Sequence, residues 1–221
     1  MGKRVLLVGA TGLVGQGVLE VFLQASDITG ISVLVRRPFD APHPKVRVLQ
    51  VPAFTAEALV ALDLQGHDAC LYCAGPLPVG MTEAAYREAT VATLARVVEA
   101  YGAANPAGFV AYVSGAGADA SSRLMPLRVK GEAEGVLARS GLAYSSLRPG
   151  VVRPVLGEAS PHRMRRALYA FGDPALAVAA RLLPGLLTTT RAIGGCMLHL
   201  VRMDGARPTT IDNAAIARNC D

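Results

Sequence analysis

Apolar residues along this chain fall into short continuous runs that alternate with segments of helical spacing. Apolar residues three and four positions apart, between the runs, predict helices at residues 13–23, 56–64 and 82–101 and one that begins between 122 and 126 and ends near 140. The succession of strand and helix predicts an α/β fold built on a doubly wound parallel sheet. The runs themselves predict six buried strands, at residues 4–8, 31–35, 46–51, 69–74, 109–113 and 144–147.

The pattern changes after the sixth predicted strand, where Pro and Gly become frequent. Two further apolar segments with helical spacing follow, at residues 163–183 and 190–203. Without an internal repeat or a low-complexity linker, the sequence favours one domain over residues 1–221. Residues 151–221 would form a small helical appendage over the carboxyl ends of the strands, where open α/β sheets bind ligands.

The segment 167–187 is the most apolar part of the chain, but it is not expected to span a membrane. Asp173, Pro174, Arg181 and Pro184 interrupt it, and a membrane helix needs about 20 predominantly apolar residues. We expect a buried or interfacial helix there. The first apolar run leads straight into a glycine loop and does not resemble a signal peptide.

Composition and charge narrow the function classes. The chain has 221 residues, 52% of them apolar and 18% charged, which excludes a disordered protein. A net charge of +5 suits a small anionic ligand as well as nucleic acid. The densest basic cluster, Arg163, Arg165 and Arg166, has no aromatic platform or known motif beside it, so we do not expect nucleic-acid binding.

The four cysteines do not indicate a metal or redox site. Cys70 and Cys73 lie three positions apart on a predicted strand, which points their side chains to opposite faces. No second Cys pair or nearby His pair completes a zinc ligand set, and Cys196 and Cys220 stand alone in the sequence. We expect reduced thiols in a cytoplasmic protein and no metal.

A glycine loop follows the first predicted strand and opens the first predicted helix. It reads Gly9-Ala10-Thr11-Gly12-Leu13-Val14-Gly15. Glycines at this spacing allow a tight turn, a close approach of backbone to a diphosphate, and close packing of helix on strand. The start of the helix offers N–H groups and the positive end of a dipole to the phosphates. This context predicts a Rossmann-type site for a dinucleotide.

The end of the second predicted strand indicates which dinucleotide this site binds. An NAD site usually places Asp or Glu here to bind the ribose 2′-hydroxyl, but the strand runs into Arg36 and Arg37, and Asp40 comes only after Pro38. A guanidinium is suited to a 2′-phosphate. The sequence therefore predicts NADP(H). The expected cofactor-binding residues are Gly9, Thr11, Gly12, Leu13, Val14, Gly15, Arg36, Arg37, Ala74, Gly75, Lys130, Pro149 and Val151.

Four segments together resemble the short-chain dehydrogenase/reductase superfamily. They are GATGLVG (9–15), YVSGAGAD (112–119), RVKGEAE (128–134) and LRPGVV (147–152). The likeness is to its atypical short members, the NAD-dependent epimerase-like proteins and the group around the Tat-interacting-protein oxidoreductase. It implies that Ser114 matches the superfamily's catalytic Ser and Lys130 its Lys, which binds the nicotinamide ribose and lowers the pKa of a Tyr four residues earlier.

The position of that Tyr holds Pro126. Proline has no ionisable group and cannot act as a general acid or base. Two functions therefore stay open: an NADP(H)-dependent oxidoreductase with an impaired or non-standard proton relay, acting on an unidentified small molecule, or a non-catalytic NADP(H)-binding redox sensor or scaffold. A homo-oligomer or a protein partner is compatible with either.

Overall fold

A parallel sheet of seven strands forms the centre of the molecule in the computed structural model, which describes residues 2–41, 43–156 and 187–218. The strand order is β3-β2-β1-β4-β5-β6-β9, and two further strands, β7 and β8, pair in parallel beside it. The strands are β1 (Lys3–Val8), β2 (Ile28–Val35), β3 (Val46–Gln50), β4 (Ala69–Tyr72), β5 (Phe109–Val113), β6 (Ala143–Arg148), β7 (Val151–Arg153), β8 (Leu187–Thr189) and β9 (Thr210–Asp212).

Helices cover both faces of the sheet. A π-helical turn, Glu88–Ala92, joins α3 to α4, so the single helix predicted over 82–101 is three consecutive segments. The helices are α1 (Leu13–Gln24), α2 (Ala56–Val60), α3 (Glu83–Arg87), α4 (Thr93–Ala104), α5 (Met125–Arg139), α6 (Thr190–Arg202) and α7 (Asn213–Arg218). The predicted doubly wound α/β fold is thus confirmed.

All six strands predicted from apolar runs are present; β5 has the predicted ends, and the other five differ at one or both ends. β2 begins three residues earlier than predicted, at Ile28, and β4 ends at Tyr72 instead of residue 74. The runs are continuous because both faces of the sheet are buried. Side chains alternate between the faces: in β1, Val5 and Leu7 pack toward α1 and α6, whereas Leu6 and Val8 pack toward α4 and α5.

The described part of the C-terminal region joins the main fold. β9 pairs with β6, and α6 packs closely against α1. A Cβ on Gly194 would lie 2.8 Å from Val21, so the two helices approach closely there. Arg202 and Asp27 form a bidentate ion pair between α6 and the residue before β2.

Several sequence predictions concern residues outside the described ranges. These are the predicted helix at 163–183, the cluster Arg163, Arg165 and Arg166, and nearly all of the apolar segment 167–187. The expected placement of an appendage over the strand ends depends mainly on those residues. The helix predicted at 190–203 is α6.

Cys70 and Cys73 lie on opposite faces of the sheet, as predicted. Cys70 belongs to the core beneath α4 and α5, and Cys73 packs against the core beneath α1 and α6. Both thiols are free, and burial raises the pKa of Cys70 to about 12. Across residues 2–41, 43–156 and 187–218 there is no cluster of metal-ligating side chains, and none of the helices in those ranges is long and apolar enough to cross a membrane.

Candidate functional site

The glycine loop between β1 and α1 is a tight turn at the carboxyl edge of the sheet. Gly9 has a φ of +92°, a conformation that residues with a Cβ rarely adopt. The Gly12 N–H donates to the Gly9 carbonyl at 3.0 Å, and the Gln16 N–H then donates to the Gly12 carbonyl at 2.9 Å, which begins α1. The predicted strand, loop and helix are thus in place.

Two glycines of this loop are required by close packing, and the third is not. A Cβ on Gly9 would lie 2.6 Å from the backbone nitrogen of Ala74, and a Cβ on Gly15 would overlap the Gly9 carbonyl. A Cβ on Gly12 would meet only the Gly9 oxygen, at 3.3 Å. The side of Gly12 that faces away from the loop is therefore open, as a diphosphate cradle requires.

The first turn of α1 presents backbone amides to this space, and the Gln16 side chain in the same turn donates to the Thr11 carbonyl of the loop at 3.1 Å. Leu13 is buried in the core and Val14 is half-buried, whereas Thr11 is exposed. The first N–H groups of a helix have no partner within it and attract anions. Leu13 and Val14 can contact a cofactor here through their N–H groups.

Arg36 and Arg37 follow β2 at the same edge, and both are exposed. Within the described ranges, Arg36 takes part in no hydrogen bond or ion pair. Its guanidinium carbon lies 5.6 Å from the centre of the Phe54 ring. Sequence reasoning missed Phe54; an aromatic residue four positions past the neighbouring strand β3 was the available signal.

Ser114 directly follows β5 and is buried. Its N–H donates to the Leu147 carbonyl at 2.8 Å, which ties the end of β5 to β6. Its hydroxyl has no hydrogen-bond partner among the described residues. A buried hydroxyl without a partner costs free energy, so Ser114 is suited to a ligand oxygen that completes its hydrogen bonding.

The segment after β6 lies against the loop that follows Ser114. The Pro149 carbonyl accepts a hydrogen bond from the Ala116 N–H at 2.9 Å, and the Gly150 N–H donates to the Asn213 side chain at 2.8 Å. Val151, the first residue of β7, is exposed. Pro149 and Val151 are therefore held at the sheet edge that carries the glycine loop.

Lys130 reaches the same edge from α5. Its ammonium nitrogen donates to the Val113 carbonyl at 3.2 Å and to the Tyr112 phenol at 3.3 Å, and would lie 3.6 Å from a Cβ on Gly75. Burial lowers the pKa of Lys130 from 10.5 to about 8, against the opposing charge of Glu134. The structure thus brings Lys130 next to the end of β4 and close to the start of the Ser114 loop.

Tyr112, which sequence reasoning missed, contacts the Lys130 ammonium through its hydroxyl and its ring. It lies two residues before Ser114, so the strand period was the signal that both share a face. Its ring is fully buried beneath Lys130, and that burial raises the pKa of its phenol well above the ordinary value. The Tyr112 ring therefore packs against the Lys130 ammonium from the core side, and the Tyr112 phenol stays protonated.

Pro126 is the second residue of α5, which begins at Met125 inside the predicted window. Proline is tolerated there because the first N–H groups of a helix have no helical partner. Pro126 lies one turn before Lys130, and its equivalence to the superfamily's Tyr stays a prediction.

Ion pairs hold α5 against α3. Arg87 binds Glu132 through two hydrogen bonds of 2.7 and 2.8 Å, and Arg128 binds Glu83 at 2.8 Å. Behind Lys130, Glu134 pairs with Arg148 of β6 at 2.9 Å. The helix that carries Lys130 is thus fixed from two sides.

Exposed apolar side chains occur in the segments that follow β4, β5 and β6. Val79 follows β4 and is 67% exposed, and Leu124 precedes α5 and is 64% exposed. Val151 and Val155 follow β6 and are also exposed. Because β4, β5 and β6 are parallel, the segments that carry these side chains all leave the sheet at the same edge.

The chain matches a protein-family model described as NAD(P)H-binding, over residues 9–164, which is more than half of its length. Among curated proteins, it is similar to Protein FMP52, mitochondrial, of Coccidioides immitis, with 31% identity over 139 residues. That match covers 58% of this chain and 56% of the relative, so the chain matches little more than half of the relative's length.

Solved structures with a similar fold include short-chain dehydrogenases. The enzyme WbmF of Bordetella bronchiseptica, in complex with NAD+, superposes with a TM-score of 0.69 at 15% identity, covering 98% of this chain and 77% of WbmF. A short-chain dehydrogenase of Burkholderia cenocepacia in complex with NADP superposes with a TM-score of 0.66 at 16% identity, covering 98% and 90%. The Rossmann-type fold expected from the sequence motifs is confirmed, and the consequence of Pro126 stays a prediction.

Proposed function

This chain belongs to the NAD(P)H-binding family whose model it matches, and on that premise we propose that it is an NADP(H)-dependent oxidoreductase of the atypical short-chain type. The observation that carries the proposal is the convergence at one sheet edge of the glycine loop, the Lys130 ammonium and the hydroxyl of Ser114. The reaction proposed is the reduction of a carbonyl compound.

The residues at this edge fit a dinucleotide. The open side of Gly12 and the first amides of α1 would hold the diphosphate. Arg36, which makes no ion pair within the described ranges, would take the 2′-phosphate that distinguishes NADP(H) from NAD(H). Lys130 would lie beside the nicotinamide ribose, at Gly75.

The chemistry that a bound reduced nicotinamide would supply here is a hydride for the carbonyl carbon of a substrate. The Ser114 hydroxyl donates a hydrogen bond to the carbonyl oxygen and orients it. As that oxygen gains negative charge, the Lys130 ammonium transfers a proton to it, and the alcohol forms. The neutral amine then recovers a proton from water. A pKa of about 8 leaves the ammonium predominantly protonated near neutral pH and still acidic enough to donate.

The substrate is proposed to be an apolar carbonyl compound. Val79, Leu124, Val151 and Val155, which lie in segments that follow strands of this edge, expose apolar surface. Apolar surface close to the site would favour ligands that bury apolar area.

Cofactor preference is tested by equilibrium binding of NADPH and NADH. The intact protein should bind NADPH at least about tenfold more tightly, which corresponds to about 1.4 kcal/mol. Arg36→Ala should remove most of this preference. Arg139→Ala, which removes the same charge in the last turn of α5 at the opposite edge of the sheet, is the control and should leave it unchanged. Equal affinity of the intact protein for both cofactors would refute the NADP(H) assignment.

Catalysis is tested by following NADPH oxidation with a panel of apolar aldehydes and ketones across a pH series. The rate should fall as the pH rises through about 8, because the proton donor Lys130 loses its charge. Lys130→Met should abolish turnover. Turnover that persists in Lys130→Met would exclude Lys130 as the acid.

The second candidate is a non-catalytic NADP(H) sensor, which Pro126 favours because the position one turn before Lys130 has no ionisable side chain. The same experiments separate the two functions. Tight NADPH binding without oxidation by any carbonyl of the panel would support the sensor, whereas turnover dependent on Lys130 would support the oxidoreductase.

A further inference from the structure

Arg36 is held by an aromatic ring and by no acidic group among the residues that the structure describes. Its guanidinium carbon lies 5.6 Å from the centre of the Phe54 ring, within the range of a cation–π interaction. An arginine paired with a carboxylate would have to lose that partner before it could bind a phosphate. An arginine resting on a ring keeps all of its N–H donors available.

Phe54 is itself fixed by its surroundings. It is half-buried and packs against the core cluster that contains Val51 and Leu59. The next residue, Thr55, caps α2 by accepting a hydrogen bond from the Ala58 N–H at 3.3 Å. Phe54 is therefore held by its packing against the core and by the capping residue that follows it, so its ring has a defined position.

The ends of two neighbouring strands bring the pair together. The Val51 N–H donates to the Val35 carbonyl at 3.0 Å, which extends the pairing of β2 and β3 by one step beyond Gln50. Arg36 directly follows Val35 at the end of β2. Phe54 lies three residues past Val51, in the segment that follows β3. The contact thus follows from strand pairing, while both residues lie at the edge that carries the glycine loop.

From this geometry we propose that Phe54 is a positioning residue for cofactor specificity: its ring holds the Arg36 guanidinium where the 2′-phosphate of NADP(H) binds. The inference rests on the proposed NADP(H) preference and adds the residue that prepares it. A long exposed side chain loses rotamer freedom when it binds a ligand, and a side chain already held on a ring loses less. The contribution of Phe54 should therefore appear only with ligands that carry the 2′-phosphate.

The test uses two cofactor fragments, 2′,5′-ADP and 5′-AMP, which differ only by the 2′-phosphate. Their dissociation constants are measured with the intact protein and with Phe54→Leu, which removes the ring and keeps an apolar side chain, or Phe54→Met if the first variant does not fold. Phe54→Tyr, which keeps the ring, is the matched control. Phe54→Leu should weaken 2′,5′-ADP binding by roughly two- to fivefold and leave 5′-AMP binding unchanged, and Phe54→Tyr should change neither.

The double variant with Arg36→Ala shows whether Phe54 acts through Arg36. Once Arg36 is absent, Phe54→Leu should have no further effect on 2′,5′-ADP binding. Equal weakening of both fragments would mean that the ring contacts the adenine instead, and would overturn the proposal. An effect of Phe54→Leu that persists without Arg36 would overturn it as well.

The same dissociation constants distinguish failure of the proposed NADP(H) preference from failure of the proposed role of Phe54. If Arg36→Ala leaves the ratio of the two dissociation constants unchanged, the NADP(H) preference and the role of Phe54 both fall. If Arg36→Ala removes the preference for 2′,5′-ADP over 5′-AMP and Phe54→Leu does not reduce it, only the proposed role of Phe54 is refuted.

Discussion

Gly12 and Gly15 lie in one loop but differ in what a side chain would meet. Gly12→Val places its branch on the open side, with the Gly9 oxygen at 3.3 Å from the Cβ, and costs about 1 kcal/mol at this helix N-cap. We expect a folded protein that no longer binds NADPH, because the branch occupies the diphosphate space. Thermal unfolding and NADPH fluorescence measure the two properties.

Gly15→Ala should instead lower the stability of the fold, which thermal unfolding measures. Its Cβ overlaps the Gly9 carbonyl, so the loop and α1 must separate, at a cost of about 1–3 kcal/mol in the free energy of unfolding. Gly12→Val with unchanged NADPH affinity would show that the loop is only a structural turn.

The buried ammonium of Lys130 should reduce the free energy of unfolding. Because burial lowers its pKa to about 8, the unfolded state binds more protons than the folded state between that pH and 10.5, and stability rises with pH across this window. Below the window the charged group lowers stability by about 3 kcal/mol. Lys130→Met should therefore be the more stable protein near neutral pH, and the difference should shrink as the pH approaches 10.5. Urea unfolding at several pH values checks this, and a difference independent of pH would contradict it.

At the scale of the elements, the start of α5 decides whether a phenol can be introduced at position 126. Pro126 occupies the first turn, where no helical hydrogen bond depends on its nitrogen. Pro126→Tyr should fold normally and place a phenol one turn before Lys130. We expect NADPH-dependent reduction of apolar carbonyls to increase in this variant, measured by the loss of NADPH absorbance.

Pro126→Phe is the matched control for that gain, because it adds the ring without the hydroxyl. An equal increase in both variants would indicate an effect of shape alone. No increase in a folded, NADPH-binding Pro126→Tyr would mean that position 126 does not face the reacting carbonyl.

At the scale of the whole molecule, a buried polar network joins elements at the sheet edge opposite the site. The His67 ring lies 2.8 Å from both the Ser32 hydroxyl of β2 and the Leu64 carbonyl, and the Asn105 side-chain oxygen accepts from the backbone N–H of His67 at 3.0 Å. The neutral ring satisfies both contacts, donating one hydrogen bond and accepting the other. Burial lowers the pKa of His67, with Arg4 and Arg47 disfavouring its charge and Asp63 favouring it.

Acid should therefore weaken the whole fold through His67. Because its folded pKa lies below its unfolded value of about 6.5, the unfolded state binds more protons as the pH falls below that value, and stability is lost. His67→Asn keeps an N–H for the Leu64 carbonyl but does not titrate, so its stability should fall less between neutral and mildly acidic pH. Chemical denaturation across that range measures the difference, and parallel pH profiles would contradict the prediction.

The sequence by itself determined the sheet and the phosphate loop, because both are encoded locally. The runs 4–8, 31–35 and 109–113 are apolar at every or nearly every position, which is compatible with strands buried on both faces. The glycine spacing and the strand before it specify a turn within seven residues. The short strand β9 carries no such signal; Thr210 and Asp212 are polar and exposed, and the strand exists because it pairs with β6.

Tertiary structure alone decided which side chains meet at the site. Lys130 and Tyr112 are 18 residues apart in sequence, as are Arg36 and Phe54, and each contact forms only in the assembled fold. The lowered pKa of Lys130 is likewise a property of its burial and not of its neighbours in the chain. Local periodicity can specify strands and turns, but contacts between side chains depend on how the strands order and pair, which is a property of the assembled sheet.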